Sequence, residues 1–586
     1  MKRVGSLAEL APPTEFDVAV IGAGGAGLSA ALFAALRGAR VLIVERTPRI
    51  GGTTALSAAT TWVPGTHHCA RVNPDDTLAE ASKYLDKAVG ERTPARLRAA
   101  FLSHGPDAVR ELESRTEVRY RPYPKHPDYI TDLPGATLAG RALEPLPFDG
   151  RLLGEWFELL REPIPEFTVL GGMMVDRNDI NNLLGMTRSW RALRHSIGII
   201  GRHLSDRLRY RRGTRLVMGN ALIARLVYSL CAHDQVRICL ETELKGLTHG
   251  PAGVTGLELE RAGERVAVQI KRGVILAAGG FNRNPALRAE LLPGVDEAWC
   301  PAAPGHTGTA QQLALGLGAV HGPTHETPAF WAPVSLRRRP DGSQAVFPHF
   351  VMDRAKPGMI TVNQAGRRFV NESTSYHLFA LAMERSLHAK EHCSKGTPGQ
   401  APCQSIAVPA YLICDARALR QYGLGMVRPG GRGLDPFLMD GYLIQGDTLP
   451  ELAARLGLDS QVLCQTIEEF NTQARQGSDP RFGRGTTAYQ RNIGDATWPG
   501  PNPCMGPLEE GPFYAVRLYP GDIGASTGLA TDEHARVLKA DGSPIRGLYA
   551  VGNEMHSIMG GVYTAPGITI GPGMVFASLA VGDLMG

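Results

Sequence analysis

Residues 16–45 carry the feature that most constrains this chain. Phe16-Asp17-Val18-Ala19-Val20-Ile21 is a short β-branched run of the kind that fills a buried parallel strand. It meets Gly22-Ala23-Gly24-Gly25-Ala26-Gly27, and an Ala/Leu-rich helix follows to Arg37. Gly38 ends that helix, and Val41-Leu42-Ile43-Val44 makes a second strand that stops at Glu45 and Arg46. A strand, G-x-G-x-x-G, a helix, a strand and an acid within about 30 residues form a βαβ dinucleotide-binding unit. The first glycine makes the tight turn, the second admits a pyrophosphate to the backbone, and the third lets helix and strand pack closely. The helix N-terminus offers unpaired N–H groups to the phosphates, and Glu45 accepts from ribose hydroxyls.

Two further segments decide between NAD and FAD. Gly51-Gly52-Thr53-Thr54, with Ser57 just beyond, follows the second strand at once, where a flavin's longer arm would pass. Far down the chain, Gly547-Leu548-Tyr549-Ala550-Val551 runs into Gly552-Asn553-Glu554, a strand end placed to close on the ribityl chain. Gly571-Pro572-Gly573 opens a last helix to about residue 584, with Pro572 as first residue and the N-terminus aimed at the flavin's O2 edge. Another buried strand, Arg272 to Ala277, ends at Ala278-Gly279-Gly280. These features predict non-covalent FAD. No Cys stands out as a covalent anchor, and His67 and His68 are the histidines left open for that role.

The chain of 586 residues, 43% apolar, is long enough for two domains. The expected class is α/β (α+β overall): a Rossmann-like FAD-binding domain over 15–288, an inserted catalytic domain over 289–507, and the return of the first domain over 508–586. Residues 75–215 read as mostly helical, with strands at Val236–Glu241, Val254–Leu259 and Val266–Ile270. A net charge of +5 is too small to imply nucleic acid. Nine cysteines without a C-x-x-C pair suggest neither a metal site nor a disulfide framework, and the plain expectation is reduced thiols in a cytoplasm. No apolar run of membrane-spanning length occurs. Between Arg188 and Arg215, however, nine arginines face a single acid, Asp206, and interleave with Trp190, Leu193, Ile199, Ile200 and Leu204. Peripheral membrane contact and a solvated helix over the core are the two readings of that stretch.

Those glycine segments, with others along nearly the whole chain, resemble the fumarate-reductase/3-ketosteroid-dehydrogenase flavoprotein family, and within it the 3-oxosteroid 1-dehydrogenases. The likeness rests on Gly51 to Ser57 with Trp62-Val63-Pro64, Asp128-Tyr129, Leu133-Pro134-Gly135, and Val362 to Glu372 with Tyr376. It continues through Pro520-Gly521-Asp522-Ile523-Gly524 and Tyr563-Thr564-Ala565-Pro566-Gly567. The resemblance implies that Tyr563 and the Gly567 N–H polarise a 3-keto oxygen. It also implies that Tyr376 takes a proton from C2 with help from Tyr129, while hydride leaves C1 for the flavin. A tyrosine of ordinary pKa, near 10, is a poor base, so that scheme requires a depressed pKa or a concerted relay at Tyr376. The chain departs from the family at Gly305-His306-Thr307-Gly308-Thr309, where Gly-Asp-Gly is common, and Glu554 to Gly561 looks partly like the fumarate-reductase branch.

The implied partners are a small hydrophobic ketone of the steroid-degradation kind and a quinone or other electron acceptor. Alternatives are a 3-ketosteroid 4,5-dehydrogenase, a desaturase of a smaller cyclic ketone, a fumarate-reductase-like enzyme using Arg367 or Arg368, and a flavin-binding protein without catalysis.

Overall fold

The computed structural model describes residues 1–393 and 406–586, and the side chains of all of these except 389–393. Strand Glu15–Ile21 lies at the centre of a parallel array in the order Lys2–Arg3, Val236–Cys239, Val41–Val44, Glu15–Ile21, Glu264–Leu276, Pro544–Ala550. Val41 to Val44 are buried throughout, as a strand covered on both faces must be. Helix Gly25–Leu36 crosses between the first two strands of the fingerprint and packs on helices Met218–Cys231 and Ile570–Met585. The last helix therefore begins earlier than expected. Ile570 is its first residue and Pro572 its third, still within the turn that needs no N–H donor at that position.

Two expected strands are one. Glu264–Leu276 is a single 13-residue strand whose first half pairs antiparallel with Gly253–Arg261 and whose second half joins the parallel array. A register shift between Ile270 and Gly273 bends it there, which is why the sequence breaks its pattern without a turn.

A second sheet has the order Gln344–Pro348, Ala329–Arg338, Phe513–Ala525, Ala410–Cys414, Met359–Val362, with Ile444–Gly446 also on Phe513–Ala525. Phe513–Ala525 is thus hydrogen-bonded into the inserted region's sheet. The chain leaves that sheet only after Ala525, later than the expected return at 508, because its buried residues pack against strands of the insertion.

The seven cysteines with described side chains are free thiols, while Cys393 and Cys403 fall outside those described. Among the described residues no helix is long and apolar enough to cross a membrane.

Candidate active site

A cleft of about 680 Å³ runs from the carboxyl ends of the parallel strands to the second sheet, the position where open α/β sheets bind ligands. At one end are Gly22, Gly24, Gly25, Ala26, Glu45, Arg46, Gly52, Thr53, Thr54, Ser57, Ala278, Gly279, Gly552 and Asn553; at the other are Tyr129, Tyr376, Tyr563 and Gly567. Gly27, Glu554, Gly571 and Pro572 do not line it. Gly27 and Gly571 serve by close packing: a Cβ would stand 2.0 Å from Gly22 O and 2.0 Å from Trp62 O respectively. Pro572 borders a small adjoining hollow with Gly552 and Asn553.

The fingerprint glycines differ as their chemistry demands. Gly22 has φ +112° and no room for a Cβ beside Ala277 O, whereas a Cβ on Gly24 would meet nothing within 4 Å. The backbone at Gly24, which caps helix Gly25–Leu36 without a side-chain bond, is therefore open to a ligand. The Glu45 carboxylate is oriented by the Ala23 N–H (2.9 Å), the Thr47 N–H (2.9 Å) and the Thr47 hydroxyl (2.7 Å). Residues 305–309, where the chain departs from its resemblance, supply Gly305, His306, Thr307 and Thr309 to the cleft. His306 Nε2 lies 3.1 Å from Thr53 Oγ1, and burial pushes the imidazole down to about 4, so it is neutral. Sequence reasoning missed these residues, and no local motif marks them.

Glu554 turns away from the cleft. One oxygen takes the Gly280 N–H (3.1 Å), the other makes no well-aligned hydrogen bond, and burial raises the carboxyl to about 7. His67 and His68 also stand apart, both directed at one Glu113 oxygen (3.0 and 2.8 Å). Their ligand atoms lie within 4.8 Å of one another, the one such His/Glu grouping among the described residues.

The far end is built on buried ion networks. Asp128 accepts from Trp62 Nε1 (2.9 Å) and pairs with Arg141 (2.8 Å), and the next residue, Tyr129, donates its N–H to Thr564 O (2.8 Å). Segment 362–372 is scaffold. Arg368 pairs with Glu372 (2.6 Å) and Asp479 (2.8 Å), so neither it nor Arg367 reaches the cleft. Tyr376 then starts helix Tyr376–Cys393, with Ser375 Oγ accepting the Leu378 N–H. The Tyr129 hydroxyl donates to Tyr376 Oη at 3.2 Å, and Tyr563 stacks on Tyr129 with ring centroids 5.6 Å apart. Tyr489 packs on Tyr129 at 4.8 Å, Phe350 on Tyr376 at 4.9 Å and Phe330 on Tyr563 at 5.1 Å. Phe330 and Phe350 line the cleft; Trp331 and Phe347 do not. Gly567 has φ +90° and no space for a Cβ beside Thr60 O, and its N–H makes no bond among the described residues. Burial, with neighbouring phenols adding to it, holds Tyr129 and Tyr376 well above the ordinary tyrosine range, and burial raises Tyr563 too.

A family model described as the FAD binding domain matches residues 17–570. The chain belongs to that family. A 4-oxocyclohex-2-ene-1-carboxylate 5-dehydrogenase of Sinomonas cyclohexanicum is 38% identical over 97% of this chain and 93% of that one. A 3-oxosteroid 1-dehydrogenase of Mycolicibacterium smegmatis is 35% identical over 97% of both. The 3-ketosteroid delta1-dehydrogenase structure from Sterolibacterium denitrificans superposes with TM-score 0.88 at 33% identity, covering 97% of this chain and 99% of that one.

As a member of the FAD binding domain family, the protein is an FAD-dependent oxidoreductase. The open Gly24 backbone and the oriented Glu45 carboxylate fit the cofactor's pyrophosphate and ribose. When bound, FAD supplies a two-electron acceptor for hydride.

Proposed function

We propose that the protein removes hydrogen across the 1,2-bond of a 3-ketosteroid. The observation that carries this is the meeting of three tyrosines from distant segments, Tyr129, Tyr376 and Tyr563, at the end of the cleft away from the fingerprint glycines, beside the Gly567 N–H, which makes no bond among the described residues. The Tyr563 hydroxyl and Gly567 N–H polarise the C3 carbonyl and acidify C2, as an oxyanion hole does. Tyr376 receives the C2 proton with Tyr129 hydrogen-bonded behind it. Phe330 and Phe350 provide apolar walls suited to a carbocyclic substrate.

A shorter ring ketone bearing a carboxylate is the second reading, in line with the activity named for the Sinomonas relative. Lys356 favours it. This ammonium borders the cleft, makes no ion pair among the described residues, and gives hydrogen bonds only to Ile493 O and Gly494 O (2.8 Å each).

The deciding experiment is anaerobic bleaching of the flavin. Androst-4-ene-3,17-dione bleaches it under the first reading and 4-oxocyclohex-2-ene-1-carboxylate under the second. Reduction by viologen followed by reoxidation with fumarate would replace both with a dicarboxylate reductase.

We further infer a quinone-type acceptor reached at a membrane surface. In helix Trp190–Asp206 the small or polar Ala192, Ser196, His203 and Asp206 face inward, while Trp190, Ile197 and Leu204 face solvent, with Leu208 just beyond. Helix Arg177–Leu184, packed against it, gives Arg177, Ile180 and Asn181 to the cleft wall.

A further inference from the structure

Three side chains outside the cleft converge on one point. His67 and His68 follow one another in the loop after strand Thr61–Trp62, and Glu113 stands in the last turn of helix Ala95–Arg115. Both Nε2 atoms are directed at the same carboxylate oxygen, Glu113 Oε2, at 3.0 Å from His67 and 2.8 Å from His68. The three ligand atoms lie within 4.8 Å of one another. Ligands on a tetrahedral zinc, with bonds of about 2.0–2.1 Å, stand about 3.3 Å apart, so a small opening of this triangle admits the ion. The His67 side chain is 44% exposed and free to give that opening, while His68 and Glu113 are held at 5% and 11%.

The surroundings call for a cation there. The second Glu113 oxygen takes the Tyr120 N–H (2.8 Å), the kind of outer bond that orients a metal-bound carboxylate. An acid in the last turn of a helix also meets the negative end of the helix dipole. No Lys or Arg forms an ion pair with Glu113 among the described residues. Arg115 of the same turn goes instead to Glu111 (3.1 Å) and Leu36 O (2.8 Å), and Arg110 pairs with Asp107. The two imidazole rings stack with centroids 4.1 Å apart, so two imidazolium charges would repel one another. A divalent ion held by two neutral imidazoles meets the carboxylate without that repulsion. Two ring nitrogens and one carboxylate oxygen suit zinc and its transition-metal neighbours, whereas magnesium and calcium take oxygen ligands. Three protein ligands leave a fourth position for water.

We propose that His67, His68 and Glu113 bind one divalent cation of the zinc class, which ties the loop after Trp62 to the end of helix Ala95–Arg115. That loop continues from a strand that backs the cleft. The Trp62 N–H donates to Gly567 O (3.3 Å), and Trp62 O stands where a Cβ on Gly571 would fall. None of the three ligands lines the cleft, so the ion takes no part in hydrogen transfer and acts on stability.

The test uses FAD-loaded protein without an affinity tag, stripped by chelator and then titrated with zinc. The bound metal is counted by mass spectrometry, and melting is followed beside it. The wild-type chain should bind zinc at this site and melt about 2 °C higher when zinc stands a hundredfold above its dissociation constant. Cobalt in place of zinc should show the visible bands of a four-coordinate ion. His67→Ala changes an exposed residue, so fold, flavin content and reduction of the flavin by ketone should stay as they are. It should nevertheless weaken zinc binding at least about tenfold, the loss that removing even an outer partner of a metal ligand brings. Glu113→Gln keeps an oxygen for the Tyr120 N–H and should weaken zinc as much. The cobalt bands and the melting shift should vanish in both variants. A stripped wild-type protein that takes up no zinc would overturn the proposal. Wild-type affinity in either variant would overturn it too, because the zinc would then sit elsewhere. An equal melting shift with magnesium would reduce the site to general attraction of cations and likewise overturn it.

Discussion

At the scale of single residues, the cleft pairs groups that look alike in sequence and differ in burial and partners. Tyr563 carries a hydroxyl toward the substrate end, and its ring is wedged among Tyr129, Tyr376, Phe330 and His377. Tyr563→Phe keeps that packing and removes only the donor. We expect FAD to be retained and turnover to fall by about 10²–10³, the usual cost of one oxyanion donor; wild-type turnover in a flavin-loaded variant would remove Tyr563 from the carbonyl site. Glu554 gives a different kind of prediction. Its carboxyl is raised from 4.5 to about 7 by burial, so below pH 4.5 it is protonated folded or unfolded. As pH rises toward 7, only the unfolded chain releases the proton, and the stability this group contributes is lost over that interval, up to about 3 kcal/mol. Glu554→Gln keeps the bond to the Gly280 N–H and cannot ionise. Thermal melts from pH 5 to 7.5 should therefore flatten in the variant, and an unchanged slope would place the pH dependence elsewhere.

At the scale of elements, the site is made where helix Gly25–Leu36 begins, and its N-cap Gly24 and first-turn Gly27 separate binding from folding. A Cβ on Gly27 would meet the Gly22 carbonyl at 2.0 Å, a backbone atom with no room to move. A Cβ on Gly24, at φ −81°, would meet nothing of the protein and would project toward the ligand. Gly27→Ala should lower both stability and flavin content, whereas Gly24→Ala should leave the melting of the flavin-free protein unchanged and weaken FAD. Equal effects in both measurements would contradict this division. The same locality explains what could be read beforehand. Gly22 to Glu45 is legible because strand, turn, helix and acid are neighbours in the chain, and the glycine requirements are steric. Tyr489 and His306 were not legible, because each reaches the cleft from a segment whose local pattern is that of a short helix or loop. Phe513–Ala525 was misplaced for a related reason. Its apolar residues show that it is buried but not which sheet it joins, and its partners, Ala329–Arg338 and Ala410–Cys414, lie far from it in sequence.

At the scale of the whole molecule, the parallel array supplies the cofactor end of the cleft and the second sheet supplies Phe330, Ile523 and Gly524. A neighbouring part of the wall belongs to a helix pair whose outer member turns apolar residues to solvent. Trp190 is 75% exposed, Ile197 59%, Leu204 61% and Leu208 85%. The spacing of seven between Trp190, Ile197 and Leu204 places them along one side of the helix, with Leu208 in the turn that follows it. Arg188, Arg191, Arg194, Arg207 and Arg209 are exposed beside them. An ordinary surface helix buries its apolar stripe. This one buries Ser196, His203 and Asp206 instead, with His203 hydrogen-bonded to Leu170 O (2.9 Å) and Asp206 holding the Thr214 N–H and hydroxyl (2.8 Å each). The inward face is thus taken by small and polar side chains, which leaves the apolar stripe free to enter a lipid interface while the arginines meet anionic headgroups. At about 1 kcal/mol per basic residue near such a surface, the arginines suffice for reversible adsorption. The full protein should therefore sediment with anionic phosphatidylglycerol vesicles at low salt, be released at high salt, and show blue-shifted tryptophan emission when bound. Trp190→Ser with Leu208→Ser should weaken vesicle binding while flavin content and reduction by soluble ketone stay unchanged. No sedimentation with anionic vesicles at low salt would leave the stripe without a lipid role, and a quinone would then have to reach the flavin from solution.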